Sequence, residues 1–355
     1  MSKPISFVVV AMLVLSYTGM ILANGPAAGG LNLVSSSGEP PVGLSYTIHA
    51  PIRIDSNGDF AANANGGGDG SSGNPWVIEN YDIDGTGFGY CIYIGNTTDY
   101  FVVRNCYLHD ASGGNDWPFH PDAGLALYEV IFGEVINNTA TNNYYGIGIG
   151  SSSNNTISKN TASSNLGFGI ALTQWCKDTV VSSNTVSDNF IGIGLNASSS
   201  RNTIFNNIAS DNFVGIGLNT SSSNVIYHNN FINNSHQASD DSTNFWDNTY
   251  PSGGNYWSDY AGVDTMSGLN QDIPGADGIG DTPYDSIDGG TGAQDNYPVI
   301  EPIQAIVYTF HLPFRINSDA DFTLANGVSA GDGSQGNPWI IEGWDIGLHP
   351  FSWTL

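Results

Sequence analysis

The chain has 355 residues, with 33 Asp and Glu against 7 Lys and Arg, a formal net charge of −26. So few cations exclude nucleic acid and anionic membrane surfaces as partners, since both are bound through Lys and Arg. The 45 Gly argue against helix, while 40% hydrophobic and 12% aromatic residues argue against wholesale disorder. The length suits one large β domain or two smaller ones.

In chain order, residues 1–23 read as a secretory signal peptide. Lys3 precedes an apolar run from Ile5 to Leu22, and Ala23 opens onto a stretch of small residues. An uncleaved N-terminal anchor is the alternative. Both readings place the rest of the chain outside the cytoplasm, and no later run is apolar enough to span a bilayer. Residues 24–45 form a linker. Cys91, Cys106 and Cys176 are too few for a disulfide framework and read as small buried apolar side chains.

From residue 46 to 235 the sequence repeats. Asparagines recur at Asn80, Asn105, Asn138, Asn160, Asn184, Asn207 and Asn229, at intervals of 22 to 25 with one of 33. Three positions before each stands a β-branched residue: Val77, Val102, Val135, Ile157, Val181, Ile204 and Ile226. A second series, Asn143, Asn165, Asn189, Asn212 and Asn234, follows five residues later, with Asp110 filling that slot after Asn105. Apolar pairs such as Ile147/Ile149, Ile170/Leu172 and Ile193/Leu195 keep the same period. No single repeat buries a core; stacked strands bury one together. The pattern predicts an all-β, parallel β-helix of about seven coils, one strand spacing of roughly 4.8 Å apart. Asn belongs at its bends, where it tolerates unusual dihedrals and its amides stack from coil to coil.

Residues 236–302 hold eleven Asp and no Lys or Arg, and their aromatics predict a cap over the last coil. Residues 303–355 begin the pattern again. Tyr308-Thr-Phe-His-Leu-Pro-Phe-Arg-Ile316 matches Tyr46-Thr-Ile-His-Ala-Pro-Ile-Arg-Ile54, and Gly331 to Glu342 matches Gly68 to Glu79. This reads as the truncated start of a second tandem β-helix domain.

The Asn-ladder coils, Asn74-Pro-Trp-Val-Ile78, Gly254-Asn-Tyr-Trp-Ser-Asp-Tyr260 and Gly280-Asp-Thr-Pro-Tyr284 together resemble the NosD-type right-handed parallel β-helix (PbH1 repeat) proteins. These belong to the pectin-lyase-like superfamily and are common among archaeal surface proteins. The resemblance implies either copper binding or, in relatives, carbohydrate binding and cleavage. Copper meets a poor ligand supply: Met266 is the one thioether after the signal peptide, and the seven histidines show no paired spacing.

For polysaccharide cleavage, two carboxylates must face one sugar bond. The column four residues past each ladder Asn reads Asp84, His109, Asn142, Ser164, Asp188, Asp211 and Asn233, so Asp188 and Asp211 fall on adjacent coils. The longest inter-coil insertion adds Asp116, His120 and Asp122 beside His109. Asp at bends is also ordinary turn chemistry. Calcium is the expected cofactor, through Asp55, Asn57 and Asp59, with Asp272, Asp277 and Asp281 as a second cluster. Asn96, Asn137, Asn154, Asn196, Asn219 and Asn233 lie in glycosylation triplets, which Asn/Ser/Thr-rich turns also generate by composition. The expected function is that of a secreted or cell-surface β-helix that binds glycans or builds envelope structure. A polysaccharide hydrolase or lyase is the alternative, and a copper-binding accessory protein a further one.

Overall fold

In the computed structural model, chain contacts divide the molecule into Met1–Ser37 and Gly38–Leu355. The structure describes residues 45–114, 121–290 and 292–304, with short pieces between 309 and 345. The expected signal peptide lies outside the described residues. Among the described residues no helix is long and apolar enough to cross a membrane.

The chain winds as a parallel β-solenoid of about eight turns. Each turn contributes one strand to each of three parallel sheets. A nine-stranded sheet runs from Thr47–Ile48 to Tyr256–Trp257, an eight-stranded sheet from Ile52–Ile54 to His236–Asp240, and a seven-stranded sheet from Trp76–Glu79 to Val225–Tyr227. Residues in register stack directly. Ile157, Val181, Ile204 and Ile226 form one inner column, and Ile147, Ile170, Ile193 and Ile216 another, all without solvent exposure. Burying each such side chain is worth about 1.5–3 kcal/mol, and only the neighbouring turns provide the cover.

The bends are held by buried asparagine amides. From Asn138 through Asn160, Asn184, Asn207 and Asn229 to Asn255, each Nδ2 donates to the next turn's Oδ1 at 2.9–3.0 Å. The same Nδ2 reaches back to a carbonyl of the preceding turn, such as Ile157 for Asn184 at 2.9 Å. Asn143 to Asn234 repeat this arrangement at the second bend. A third ladder, which the periodicity did not single out, runs from Asn202 through Asn224 to Asn244. The glycines of Ile191-Gly-Ile-Gly-Leu195 serve this packing. A Cβ on Gly192 would lie 2.9 Å from the Asn212 amide, and one on Gly194 would strike the Phe168 ring.

The first turns differ from the expected register by one residue. Cys106, not Asn105, takes the slot of Asn138, and its N–H donates to Asn138 Oδ1 at 3.0 Å. Asn80 and Asn105 stand one place earlier, in left-handed conformation with φ of 60° and 54°. The inner column therefore begins with Ile78 and Val103 rather than Val77 and Val102. Likewise Ala111, not Asp110, occupies the second ladder's slot and donates to Asn143 Oδ1 at 2.9 Å. The stretch from residue 236 is also not wholly outside the coils. His236–Asp240 still pairs with Val214–Leu218, and Tyr256–Trp257 with Asn230–Phe231, which adds a turn to the expected seven.

Beyond that turn, aromatic rings continue the inner column. Phe231 stacks on Trp257 at 4.2 Å, and Trp257 on Tyr284 at 4.1 Å. Two buried carboxylates hold the indoles: Asp240 accepts from Trp246 Nε1 at 2.9 Å and Asp295 from Trp257 Nε1 at 2.9 Å. Asp295 also accepts from the Asn255 N–H at 2.7 Å, which ends the first ladder. Of the expected second copy, Thr309–Phe310 pairs in parallel with Trp344–Asp345, as Thr47–Ile48 does with Tyr81–Asp82.

Two outcomes test this account. Asn184→Ala leaves the Asn160 backbone N–H without its acceptor and removes the amide bond to the Ile157 carbonyl, while Asn160 Nδ2 keeps Val135 O and Ser158 O. Its unfolding free energy in urea is expected to fall by about 2–4 kcal/mol, and a loss below about 1 kcal/mol would refute the ladder's role. Burial pushes the Asp295 carboxyl up to about 7, against its four N–H partners. A raised acid contributes stability below its unfolded value of about 3.9, and that contribution is lost as pH rises through 7. The melting-temperature advantage of the native chain over Asp295→Asn should therefore be greater at pH 5 than at pH 8.

Candidate functional site

At the bend between the nine- and eight-stranded sheets, six successive turns each place one residue in left-handed conformation. Asp110, Asn142, Ser164, Asp188, Asp211 and Asn233 have φ between 55° and 57°. Asn, Asp and Ser tolerate that region best among non-glycine residues, because their short polar side chains bond the local backbone. The geometry turns these side chains outward, and Asp188 and Asp211 are exposed. Ser187 pairs with Ser210, so the two carboxylates that follow stand on adjacent turns. Partial burial raises the pKa of Asp211, and the neighbouring Asp188 charge adds to that.

One residue beyond the ladder Asn, three turns of the same bend carry aromatics, with Leu166 and Ser235 in that position on two others. Phe190 and Phe213 stack at 5.0 Å with their planes 6° apart, and Phe190 is 40% exposed. Tyr144 stands in the same position two turns earlier, over Gly167, with Leu166 80% exposed beside it. The row continues inward onto the eight-stranded sheet as Tyr145 stacked on Phe168 at 5.4 Å, followed by Ile191 and Val214. Its far end is His236, edge-on to Phe213 and bonded to Asp288 at 2.7 Å. An acidic row and an aromatic row thus run side by side along one bend, two residues apart in the chain. The aromatic row was not singled out in the sequence, because Phe190 and Phe213 lie between the two apolar tracks. Their signal is the repeat Asp188-Asn-Phe190 and Asp211-Asn-Phe213.

Near the start of the solenoid, His109 is pinned between two carboxylates. Nδ1 meets Asp110 at 2.7 Å and Nε2 meets Asp82 at 3.0 Å, with the ring stacked on Tyr107. Asp82 stands in register with Tyr107, two residues before His109, so no column of the repeat joins it to the histidine. His109 and Asp84 lie inside the strands rather than in the left-handed column, whose member on that turn is Asp110. Asp122 is half-buried and accepts from the Gly114 N–H, while Asp116 and His120 lie outside the described residues.

The carboxylates expected to bind calcium close turns. Asp55 is paired with Arg53 at 2.8 Å, Asn57 bonds Thr97 and Asp99, and Asp59 accepts from Asp55 N and Ser56 Oγ. Asp281 accepts from Thr265 and Met266, Asp277 from Ile279 N–H, and Asp272 is exposed. Among the described residues no three His, Cys, Asp or Glu side chains gather as a metal site.

The fold defines a parallel β-helix protein, with its side-chain chemistry displayed along the bends. A family model described as "Periplasmic copper-binding protein (NosD)" matches residues 53–262, more than half of the chain, and the chain belongs to that family. No curated protein matches it in sequence. Among solved structures it is similar to a periplasmic alginate epimerase, AlgG, with 17% identity and a TM-score of 0.37, over 51% of this chain and 47% of that one. It is also similar to the Azotobacter vinelandii mannuronan C-5 epimerase AlgE6 A-module, with 14% identity and a TM-score of 0.36, over 55% and 58% of the two chains. An alginate lyase from Paenibacillus sp. str. FPU-7 shows 12% identity and a TM-score of 0.37, over 58% and 76%. The chain spans about half the length of the AlgG epimerase.

The described residues do not fit copper. Copper(I) takes thiolates and thioethers, and copper(II) imidazoles. The three cysteines are free and buried singly in the core, where burial pushes Cys106 up to about 12 and Cys176 up to about 11. Each described histidine has its own separate partner: Ala50 O for His49, Asp82 and Asp110 for His109, Ser252 O for His228 and Asp288 for His236.

The His109 arrangement makes a pH prediction. Partial burial lowers its pKa, but the bonds and charges of Asp110 and Asp82 outweigh that, so the imidazole is raised. A raised histidine contributes stability below its unfolded value of about 6.5 and loses it as pH climbs through the folded value. The melting-temperature gap between the native chain and His109→Gln should be widest near pH 6 and narrow toward pH 9; a constant gap would show that the histidine is not charged in its pocket.

Proposed function

We propose that the protein is an exported β-helix that binds glycans along the bend carrying Asp188, Asp211, Phe190 and Phe213. The observation that supports this reading is the pairing of two rows at one strand spacing. Aromatic faces stack on the apolar faces of pyranose rings, while carboxylates accept hydrogen bonds from ring hydroxyls. Rows repeated on successive turns suit a polymer, whose units meet equivalent groups along the solenoid. The chain's cation deficit, its family's periplasmic description and its repeated, rigid surface all agree with a role outside the cytoplasm.

Cleavage is the second reading, and the raised Asp211 beside Asp188 is what favours it. Carboxylates about 5–5.5 Å apart suit a retaining glycosidase. Against it, both side chains project from the same bend and neither is enclosed, whereas a general acid needs a protected site.

One experiment separates the two. The full chain is incubated with a polysaccharide panel while binding, new reducing ends and unsaturated products are measured. Binding without turnover is expected, with Phe190→Ala weakening affinity about three- to tenfold. Turnover abolished by Asp188→Asn or Asp211→Asn would establish the enzyme instead.

A further inference from the structure

The described cations are distributed unevenly around the solenoid. Lys159 stands at the bend between the seven- and nine-stranded sheets, in the left-handed column of Asn137 and Ser183. Lys177 and Arg201 stand at the bend between the eight- and seven-stranded sheets, Lys177 in register with Ser153 and Ser200, and Arg201 bonded to Asp178 at 2.7–2.9 Å. Arg104 is paired with Glu79, and Arg53, far along the stack, with Asp55. No described Lys or Arg stands at the third bend, which carries the aromatic row; its basic side chains are His109, held between Asp110 and Asp82 at the start of the stack, and His236, bonded to Asp288. Beside the aromatic row its acids are Asp188 and Asp211, with Asp288 at the His236 end.

From this asymmetry we infer that the glycan held there is cationic, an amino-sugar polymer with free amines. The inference rests on the proposed glycan-binding reading and narrows its ligand class. A uronate polymer laid on Phe190 and Phe213 would bring its carboxylates against Asp188 and Asp211 with no described Lys or Arg to offset them, since His236 beside Phe213 is already bonded to Asp288. A neutral polymer would gain the ring stacking alone. A polymer of glucosamine type keeps the same apolar ring faces for Phe190 and Phe213, and its ammonium groups meet the acidic row two residues away. Ammonium and carboxylate then form charge-assisted bonds in register with the turns. At short range such bonds favour one partner over another even where they add little affinity in salt.

The test uses the full chain and three oligomers of equal length at mildly acidic pH: fully deacetylated chitin hexamer, its N-acetylated form and oligogalacturonate. At low salt the deacetylated hexamer should bind at least about tenfold tighter than the N-acetylated one, and the gap should close at about 0.5 M salt. Asp188→Asn combined with Asp211→Asn should shrink the gap about fivefold. The distant pair Asp272→Asn with Asp277→Asn carries the same change in net charge and should leave it intact. Equal or tighter binding of the N-acetylated hexamer or of oligogalacturonate would overturn the inference while sustaining glycan binding. So would an equal loss in the distant pair, which would reduce the effect to bulk charge. Failure of all three oligomers and of the wider panel would instead defeat the glycan-binding reading itself.

Discussion

A buried side-chain amide that satisfies backbone groups on two neighbouring turns is the constraint on which this structure depends. A solenoid must bend three times per turn, and each bend takes backbone N–H and C=O groups out of the sheet ladders. Left unpaired inside, each would cost about 1–3 kcal/mol. Asn184 shows how the debt is met: its Oδ1 accepts the Asn160 N–H and amide, while its Nδ2 donates to Ile157 O and Asn207 Oδ1. An Asp could not donate and a Ser could not span both directions. The repeat of Asn is therefore a consequence of winding the chain rather than of what the protein binds.

That constraint also decides where variable chemistry can appear. The residue just before each ladder Asn is left-handed and points outward, and the residue just after it begins the return to the sheet. At the bend between the nine- and eight-stranded sheets these positions carry Asp and Phe on two successive turns, where other turns carry Asn, Ser, Tyr or Ser235. Neither position contributes to the ladder, so both are open to selection for a ligand. The solenoid fixes the spacing of these positions, and the ladder leaves their side chains free to vary.

Much of this was legible in the sequence, because a period of 22 to 25 residues leaves few alternatives once each repeat is too small to bury itself. The register of the first turns was not, for a definite reason. Asn is favoured both in the ladder and in the left-handed position beside it, so Asn105 looks like a rung although Cys106 holds that slot. The shift then carried the site column onto Asp84 and His109, while the partner of His109, Asp82, stands in register with Tyr107 and lies in no such column. The last turn was hidden by composition, since His236-Gln-Ala-Ser-Asp240 forms a strand with one apolar residue. Asp188 and Asp211 were legible as neighbours because both follow intact ladder Asn. Phe190 and Phe213 were not, because their pairing depends on how the chain leaves the bend.

The copper mismatch follows from the same division between scaffold and display. The span matched by the family model, residues 53–262, is built largely of ladder asparagines and stacked aliphatics, which are needed to wind a solenoid. None of them is a copper donor. The cysteine sulfurs are locked into the core as small apolar fillers, with Cys106 standing where other turns place Asn. The described imidazoles are dispersed along the solenoid and bonded to separate acceptors. A chain can therefore keep the solenoid of a NosD-family β-helix while its outward bend positions vary independently of copper chemistry.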